Sequence, residues 1–274
     1  MIKKCLFPVA GYGTRFLPAT KAIPKEMLPI LTKPLIQYGV EEAMSAGITQ
    51  MAMVTSKYKG AIKQHFEPHA DIEVSIKGTA KESLLDEVNH IIDQCGFSYI
   101  EQQQMLGLGH AIYTGKPLIG NEPFAVILPD DLCHHKGDSV LKQMAGLYEK
   151  HPDCCIVAIE EVPMSEVDKY GVIAGELLPG LDNVYRVNSM VEKPDPQDAP
   201  TNLAIIGRYI LTPEIFNVLE QTAADKNGEI QITDALMTLA KQDKVLAYKF
   251  DGKRFDCGSI DGFLVATNEF NKLW

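Results

Sequence analysis

Short apolar runs alternate with helix-like segments along the first half of the chain. The runs are bounded by glycine, proline and polar residues, as buried strands are, and they cover residues 5–10, 50–55, 97–101 and 121–128. Apolar residues at helical spacing separate the runs and predict helices at 35–46, 60–66 and 81–95, with another beginning near His110. Residues 71–76 alternate between apolar and polar and predict a further strand.

The second half continues this alternation. It predicts strands at 154–160, 184–192, 203–211 and 245–250, and helices at 140–150, 229–241 and from Ser259 onward. A helix is also expected to begin at the Thr212-Pro213-Glu214 sequence. Strands that alternate with helices are typical of the α/β class. We therefore expect a Rossmann-like mixed, mostly parallel sheet flanked by helices, with no linker between separate parts.

Composition narrows the class of protein. Of the 274 residues, 46% are hydrophobic and 23% are charged, which is typical of a globular chain with an ample core. The net charge of −10 makes nucleic acid an improbable partner. No apolar run approaches the roughly 18–20 residues that span a membrane, and none at the N-terminus resembles a signal segment. Because no signal segment is recognised, we expect a cytoplasmic location. The six cysteines form no CxxC motif, so we expect reduced thiols.

A glycine loop, residues 10–15, follows the first predicted strand. Gly11 and Gly13 let backbone N–H groups approach a ligand, and Arg15 can grip phosphate oxygens with two hydrogen bonds. Lys25 lies in the stretch that follows, and the first 40 residues contain six cations and a single acid. The dinucleotide motif GxGxxG is only half matched, because Phe16 replaces its third glycine. The loop is either a polyphosphate site or a plain tight turn.

Two further polar stretches follow predicted strands. One is the glutamine-rich turn at 102–111, and the other is Pro129-Asp130-Asp131. Ligands of open α/β sheets bind outside the carboxyl ends of the strands. The glycine loop, the glutamine-rich turn and the aspartate pair all lie at such ends, so we expect them to meet at one edge.

A set of motifs spans nearly the whole chain: GYGTRFLP, PKEMLP, GLGHA, LPDD, YGVI, VEKP, GEIQITDAL and FDCGS. In this order they resemble the bacterial UTP–glucose-1-phosphate uridylyltransferases, which belong to the sugar-nucleotide nucleotidyltransferases. The resemblance implies that UTP and glucose 1-phosphate are converted to UDP-glucose and pyrophosphate, with Mg²⁺, by in-line attack. PKEMLP and GLGHA favour uridylyl over thymidylyl transfer. The alternatives are an enzyme that uses dTTP or CTP and a non-catalytic regulator that binds nucleotide sugars.

The resemblance also implies roles for residues of the first half. The residues that would lie along the nucleotide are Ala10, Gly11, Gly13 and Thr14. Arg15 would contact the β- and γ-phosphates, and Lys25 the phosphates near the reacting centre. Glu26 and Gln102 would read uracil together with the backbone at Gly107. Gln103 is the alternative to Gln102.

Asp130 and Asp256 resemble the pair of residues that holds Mg²⁺. Asp131 would either support that pair or cap a helix, and we expect the cap. Gly171, Glu192 and Lys193 resemble the glucose 1-phosphate site.

The resemblance implies a single domain over residues 1–274, with a nucleotide-binding part at about 1–135 and a sugar-phosphate-binding part at about 136–274. It also implies a homo-oligomer, either a dimer or a tetramer.

Overall fold

The computed structural model describes residues 1–273 and contains a nine-stranded mixed sheet. The strands are β1 Lys4–Pro8, β2 Pro29–Ile30, β3 Lys33–Pro34, β4 Gln50–Thr55, β5 Gly96–Glu101, β6 Phe124–Ile127, β7 Asp131–His134, β8 Cys155–Glu161, β9 Gly171–Leu177, β10 Val184–Glu192, β11 Leu203–Leu211, β12 Val245–Lys249 and β13 Lys253–Asp256. The helices are α1 Leu35–Ser45, α2 Gly60–His65, α3 Ala70–Ile76, α4 Asp86–Gln94, α5 Gly107–Thr114, α6 Lys116–Ile119, α7 Val140–Lys150, α8 Glu214–Gln221, α9 Ile232–Ala240 and α10 Ile260–Leu273.

The main sheet has the order β5-β4-β1-β6-β11-β8-β12-β10-β9. Its first four strands are all parallel, and β8 is parallel to β12. The other neighbours pair antiparallel, and β9 also pairs with β11. The expectation of a mixed sheet flanked by helices is confirmed, with the longest parallel part in the first half of the chain.

Apolar side chains cover both faces of this sheet. Successive residues of a strand point to opposite faces, so in β1 Leu6 joins one core cluster while Cys5 and Phe7 join the other. Helices α5, α8 and α9 contribute to the first cluster, and α1 and α7 to the second. All nine residues of β11 are buried, as expected for a strand enclosed on both faces.

Residues 71–76 form part of helix α3, so the strand predicted there is wrong. Ile72 and Val74 are exposed, and the helix begins after His69, whose ring accepts a hydrogen bond from the Ile72 N–H at 3.4 Å. The alternation of apolar residues therefore does not mark a buried face. A local cap decides the structure of this segment.

Candidate active site

The glycine loop leaves β1 at the carboxyl end of the four parallel strands. Gly13 has a φ of +66°, in the left-handed region that favours glycine, and its carbonyl accepts a hydrogen bond from Thr20 Oγ1 at 2.7 Å. A methyl group added at Gly11 would meet nothing within 4 Å. Ala10 is buried, whereas Gly11 and Thr14 are exposed. The hydrogen bond from Thr20 therefore holds the loop at Gly13, and the open space at Gly11 allows a ligand to approach the backbone.

Lys25 forms an ion pair with Asp130, across 105 residues of sequence. Burial alone would lower the pKa of Lys25, but the charges of Asp130 and Glu26 outweigh burial and hold the pKa above its usual value. Burial would likewise raise the pKa of Asp130, but Lys25 holds it below the usual range. Both groups are therefore charged at neutral pH, and the pair joins the segment after the glycine loop to the turn after β6.

Asp130 and Asp256 face the same small space beside Gly258. A methyl group at Gly258 would lie 3.0 Å from Asp256 Oδ1 and 3.1 Å from Asp130 Oδ2. The same methyl group would lie 3.6 Å from Nη1 of Arg15, which donates a hydrogen bond to the Gly258 carbonyl at 3.3 Å. Carboxylate oxygens are the ligands that Mg²⁺ prefers, usually one or two of them with phosphate oxygens and water. The donor set fits such an ion.

The carboxylate pair agrees with a site that needs oxygen atoms of a substrate to complete it. Within residues 1–273, no group of three or more His, Cys, Asp or Glu side chains is placed to hold a metal ion. A metal held by two carboxylates alone binds weakly unless phosphate oxygens and water supply the remaining ligands. Two carboxylates are the number of protein ligands that Mg²⁺ commonly takes when phosphate oxygens and water supply the others.

Asp131 does not cap a helix, so that expectation is wrong. It begins strand β7, pairs in register with Asp256 of β13, and is buried. Its Oδ2 accepts a hydrogen bond from the Gly207 N–H at 2.8 Å, and its Oδ1 from Arg254 Nε at 2.5 Å. Asp131 thus fixes the strand next to Asp130, which is the supporting role that the sequence left as the alternative.

Gln102 is buried and follows β5, whereas Gln103 is exposed. The Gln102 Nε2 lies 2.8 Å from His110 Nδ1 and 3.4 Å from the Gly107 carbonyl oxygen. Burial lowers the pKa of His110, so its ring is neutral at pH 7 and Nδ1 can accept from the amide. These contacts orient Gln102 and leave its carbonyl oxygen for a ligand.

Gly107 begins helix α5 with a φ of +89°. An added methyl group would lie 2.9 Å from Glu229 Cβ. The neighbouring backbone pairs with residue 230, through Ile230 N to the Leu106 carbonyl and Gly109 N to the Ile230 carbonyl, both at 2.8 Å. Only glycine suits this conformation and this close approach. The turn is therefore held as a rigid platform beside Gln102.

Glu26 forms an ion pair with Lys59, whose Nζ lies 2.7 Å from Glu26 Oε2. Both side chains are buried. Burial raises the pKa of Glu26, and the charges of Lys59 and Lys25 oppose that rise. The base reader expected from the sequence is therefore held by a lysine that the sequence did not single out.

The three residues expected at the sugar phosphate meet where β9 and β10 pair. Gly171 is opposite Glu192 in the register, and a methyl group at Gly171 would lie 3.1 Å from Glu192 Oε2. That oxygen also accepts a hydrogen bond from Thr233 Oγ1 at 2.6 Å. Lys193 has a φ of +45°, and its Nζ lies 3.5 Å from Glu192 Oε1. The site thus combines a carboxylate with an exposed cation.

A central cavity of about 1040 Å³ connects these groups. Its lining includes Arg15, both carboxylates of the proposed metal pair, and the three residues expected at the sugar phosphate. Glu26, Gln102 and Gly107 are not part of its lining, although Leu108 is. The cavity therefore joins Arg15 and the carboxylate pair to the residues expected at the sugar phosphate, whereas Lys25, the rest of the glycine loop and the expected base readers lie outside its lining.

The residues that sequence reasoning missed are those that hold the functional side chains: Lys59 on Glu26, His110 on Gln102, Thr233 on Glu192, and Arg254 on Asp131. Arg254 also donates to Glu160 Oε1 at 2.8 Å and to the Tyr170 hydroxyl at 3.2 Å. His110 lies inside the GLGHA motif, and Thr233 inside GEIQITDAL. Those two motifs were the available signals, since Lys59 and Arg254 have no comparable pattern around them.

Across residues 1–273, no helix has the length and the apolar composition needed to cross a membrane.

Comparisons with known proteins agree over the full length of the chain. The family described as "Nucleotidyl transferase" matches residues 8–272. A UTP–glucose-1-phosphate uridylyltransferase of Pseudomonas aeruginosa is 61% identical over 269 residues, which cover 98% of this chain and 95% of the relative. A crystal structure of apo UDP-glucose pyrophosphorylase superposes with a TM-score of 0.96 at 61% identity, over 99% of both chains. UDP-glucose pyrophosphorylase complexed with UDP-glucose superposes with a TM-score of 0.91 at 58% identity, over 100% of both chains.

Proposed function

This chain belongs to the nucleotidyl transferase family, among the UTP–glucose-1-phosphate uridylyltransferases, and we propose that its central cavity joins UTP to glucose 1-phosphate. The products are UDP-glucose and pyrophosphate. The observation that supports this proposal most strongly is the meeting of Asp130, Asp256 and Arg15 around Gly258. Carboxylates and a guanidinium at one point suit a polyphosphate that arrives with a divalent cation.

The chemistry is one displacement at the α-phosphorus of UTP. A phosphate oxygen of glucose 1-phosphate forms a bond to that phosphorus, and the bond to the pyrophosphate oxygen breaks. No side chain becomes covalently attached, so the protein acts by positioning the reactants and stabilising charge. Lys25 would contact the phosphates near the reacting centre. Arg15 would contact the β- and γ-phosphates and stabilise the charge that collects on the leaving pyrophosphate.

Enzymes of this family generally use a divalent metal, and we propose Mg²⁺ held by Asp130 and Asp256. When bound there, the ion would offset the negative charge of the phosphates of UTP. In the structure, the charge of Asp130 is balanced by its ion pair with Lys25. Because one amine cannot serve two partners equally, we expect Lys25 to turn from Asp130 to a phosphate when the substrate and the ion arrive.

Recognition of the two substrates is divided between the central cavity and the loop and turn residues that lie outside its lining. Ala10, Gly11, Gly13 and Thr14 would lie along the nucleotide, and Glu26, Gln102 and the backbone at Gly107 would read uracil. Gln102 would accept an N–H of the base through its carbonyl oxygen, because its amide N–H groups already contact His110 and the Gly107 carbonyl. Glu192 would accept hydrogen bonds from glucose hydroxyls, with Gly171 leaving room for the sugar, and Lys193 would meet its phosphate.

We also propose the division of the single domain into a nucleotide part at about 1–135 and a sugar-phosphate part at about 136–274.

A cytoplasmic location is supported by the six cysteines, which are all free thiols. A homo-oligomer, dimer or tetramer, is the expected assembly. Light scattering coupled to gel filtration measures its mass directly.

Replacing the carboxylates one at a time tests the proposed metal site. We expect Asp130→Asn and Asp256→Asn each to reduce pyrophosphate release from UTP and glucose 1-phosphate by about a hundredfold or more, the scale for losing an electrostatic contact to the transition state. The matched control is Asp153→Asn, an exposed aspartate just before β8, which should leave the rate unchanged. Circular dichroism verifies folding. Near-normal Mg²⁺-dependent rates in both carboxylate variants would refute the assignment.

A further inference from the structure

Glu26 and Lys59 are almost completely buried, although burial is energetically unfavourable for charged side chains. Their exposed fractions are 1% and 6%, and one contact of 2.7 Å joins them. A buried ion pair contributes little net stability, because the loss of hydration offsets the attraction. Breaking such a pair by removing one partner is costly, however, because the other charge is then left unpaired in the interior. A pair that adds little to stability is a candidate for a role in binding.

The second carboxylate oxygen of this pair supports a binding role. Glu26 Oε1 is buried and accepts no hydrogen bond from residues 1–273. Buried polar atoms are nearly always satisfied, and an ionised oxygen without a donor carries its full desolvation cost. An N–H or O–H group of a ligand would remove that cost. Uridine offers donors of both kinds, the N3–H of uracil and the 2′-hydroxyl of ribose.

The position of Lys59 connects this pair to the nucleotide side of the site. Lys59 precedes helix α2, and its N–H donates to the Ser56 carbonyl at 3.0 Å, just after β4. The preceding residue, Thr55, accepts a hydrogen bond from the Gln102 N–H at 2.8 Å. Lys59 also lines a 400 Å³ cavity together with Thr14 of the glycine loop. The end of β4 therefore supports both Gln102 and the lysine that holds Glu26.

We propose that Lys59 is a positioning residue for nucleotide selection. It fixes Glu26 through Oε2 and keeps it ionised, so that Oε1 acts as an acceptor for a donor of uridine, either the uracil N3–H or the ribose 2′-hydroxyl. This inference rests on the proposed function, in which UTP binds beside Glu26. It adds a residue and a physical reason for selection to that function.

The charges around Glu26 give Lys59 a specific effect. Burial favours the protonated carboxyl group, and Lys59 and Lys25 are the charged groups that oppose protonation. Without Lys59, Lys25 is the one charged group left to oppose burial, so we expect the pKa of the carboxyl group to rise further and the protonated form to become more populated. A protonated carboxyl group presents a donor where the ionised form presents only acceptors. It would then suit cytosine, whose N3 accepts a hydrogen bond, at the expense of uracil, whose N3–H donates one.

The test measures kcat/KM for UTP, CTP and dUTP with glucose 1-phosphate and Mg²⁺ in the wild type and in Lys59→Met. We expect kcat/KM for UTP to fall about tenfold to a hundredfold, as for loss of a hydrogen bond to a charged group. A matching fall in the UTP-to-CTP ratio identifies the N3–H as the donor. A matching fall in the UTP-to-dUTP ratio identifies the 2′-hydroxyl. The matched control, Lys63→Met, removes an exposed lysine from α2 and should preserve both ratios.

The pH dependence separates a change of charge from a general loss of structure. In Lys59→Met, kcat/KM for UTP should rise with pH, because deprotonation restores the acceptor at Oε1. The wild type, with Lys59 present, should show no such rise over the same range. A Glu26→Gln/Lys59→Met variant leaves no unpaired charge. Its UTP-to-CTP and UTP-to-dUTP ratios of kcat/KM should be no lower than those of Glu26→Gln. This variant decides the matter if Lys59→Met does not fold.

Several results would overturn the inference. One is that Lys59→Met keeps both ratios within twofold of the wild type, and another is that the double variant selects worse than Glu26→Gln. Calorimetric measurement of the binding of the same three nucleotides distinguishes failure of the inference about Lys59 from failure of the proposed function. Binding of UTP without turnover would refute the proposed reaction, and the binding ratios would still decide the role of Lys59. A wild type that does not bind UTP would refute both.

Discussion

Gly258 builds part of the site by having no side chain. The space that a methyl group would fill there is bounded by Asp256 Oδ1, Asp130 Oδ2 and Arg15 Nη1. The same residue anchors two of these groups, since its carbonyl accepts from Arg15 and its N–H donates to Asp256 Oδ1 at 3.0 Å. At the scale of single residues, the proposed metal site depends on the missing side chain of Gly258 as well as on the two carboxylates.

Gly258→Ala should therefore weaken metal binding. The added methyl group would press against both carboxylates, so the Mg²⁺ concentration for half-maximal rate should rise by about tenfold or more, as for changes that misplace metal ligands. The measurement is pyrophosphate release against Mg²⁺ concentration. Gly137→Ala is the control, because a methyl group there would meet nothing within 4 Å. Unchanged Mg²⁺ dependence in Gly258→Ala would contradict this account of the space.

At the scale of secondary-structure elements, one buried ion pair joins four parts of the fold. Arg208 of β11 donates to both carboxylate oxygens of Glu42 in α1, with Nη2 at 2.7 Å from Oε2. Glu42 Oε1 also accepts from the Leu141 N–H at the start of α7, at 3.1 Å. Arg208 Nη1 donates to the Leu128 carbonyl at 3.2 Å, in the turn that leads to Asp130. The Arg208–Glu42 pair therefore fixes the turn that carries Asp130, a proposed metal ligand.

Removing Arg208 should destabilise the protein strongly. Arg208→Met leaves Glu42 charged and buried, so we expect a loss of about 3–5 kcal/mol in the free energy of unfolding. Denaturant unfolding followed by circular dichroism measures it. Arg186→Met, which removes an arginine with one exposed contact to a backbone carbonyl, should cost far less. Equal stability of the two variants would show that the Arg208 pair does not hold these elements together.

Hydrophobic periodicity predicted several elements to the residue, including Val140–Lys150, Val184–Glu192 and Leu203–Leu211. These segments pack against the core, so their pattern records which side chains are buried. The pattern failed at 71–76, where Ile72 and Val74 are exposed and no core selects a face. Periodicity is informative only where burial produces it.

The site was predictable where a motif or a strand end marked it. Asp130 follows β6 and the glycine loop follows β1, so topology alone places them at one edge of the main sheet, whereas Asp256 ends β13 in a separate two-stranded sheet and was expected only from the resemblance. Asp131 was misread because its partners, Gly207 and Arg254, are 76 and 123 residues away. Lys59 is likewise 33 residues from Glu26. Pairs that form only through folding leave no local pattern in the sequence.

At the scale of the whole molecule, charge is distributed unevenly. The chain has a net charge of −10, yet the first 40 residues are basic, and they supply Arg15 and Lys25 to the edge where the parallel strands end. Both substrates are anions that carry phosphate. A local cluster of cations on an acidic protein attracts such ligands to one place without general affinity for polyanions.

The measurement that tests this account most directly is the initial rate of pyrophosphate release by the purified protein with Mg²⁺. UTP and glucose 1-phosphate form the test pair, and dTTP, CTP and galactose 1-phosphate are substituted one at a time. We predict rapid release with UTP and glucose 1-phosphate and slow release when either is replaced. Equal rates with UTP, dTTP and CTP would contradict the reading of uracil, and no release with any pair would contradict the proposed reaction itself.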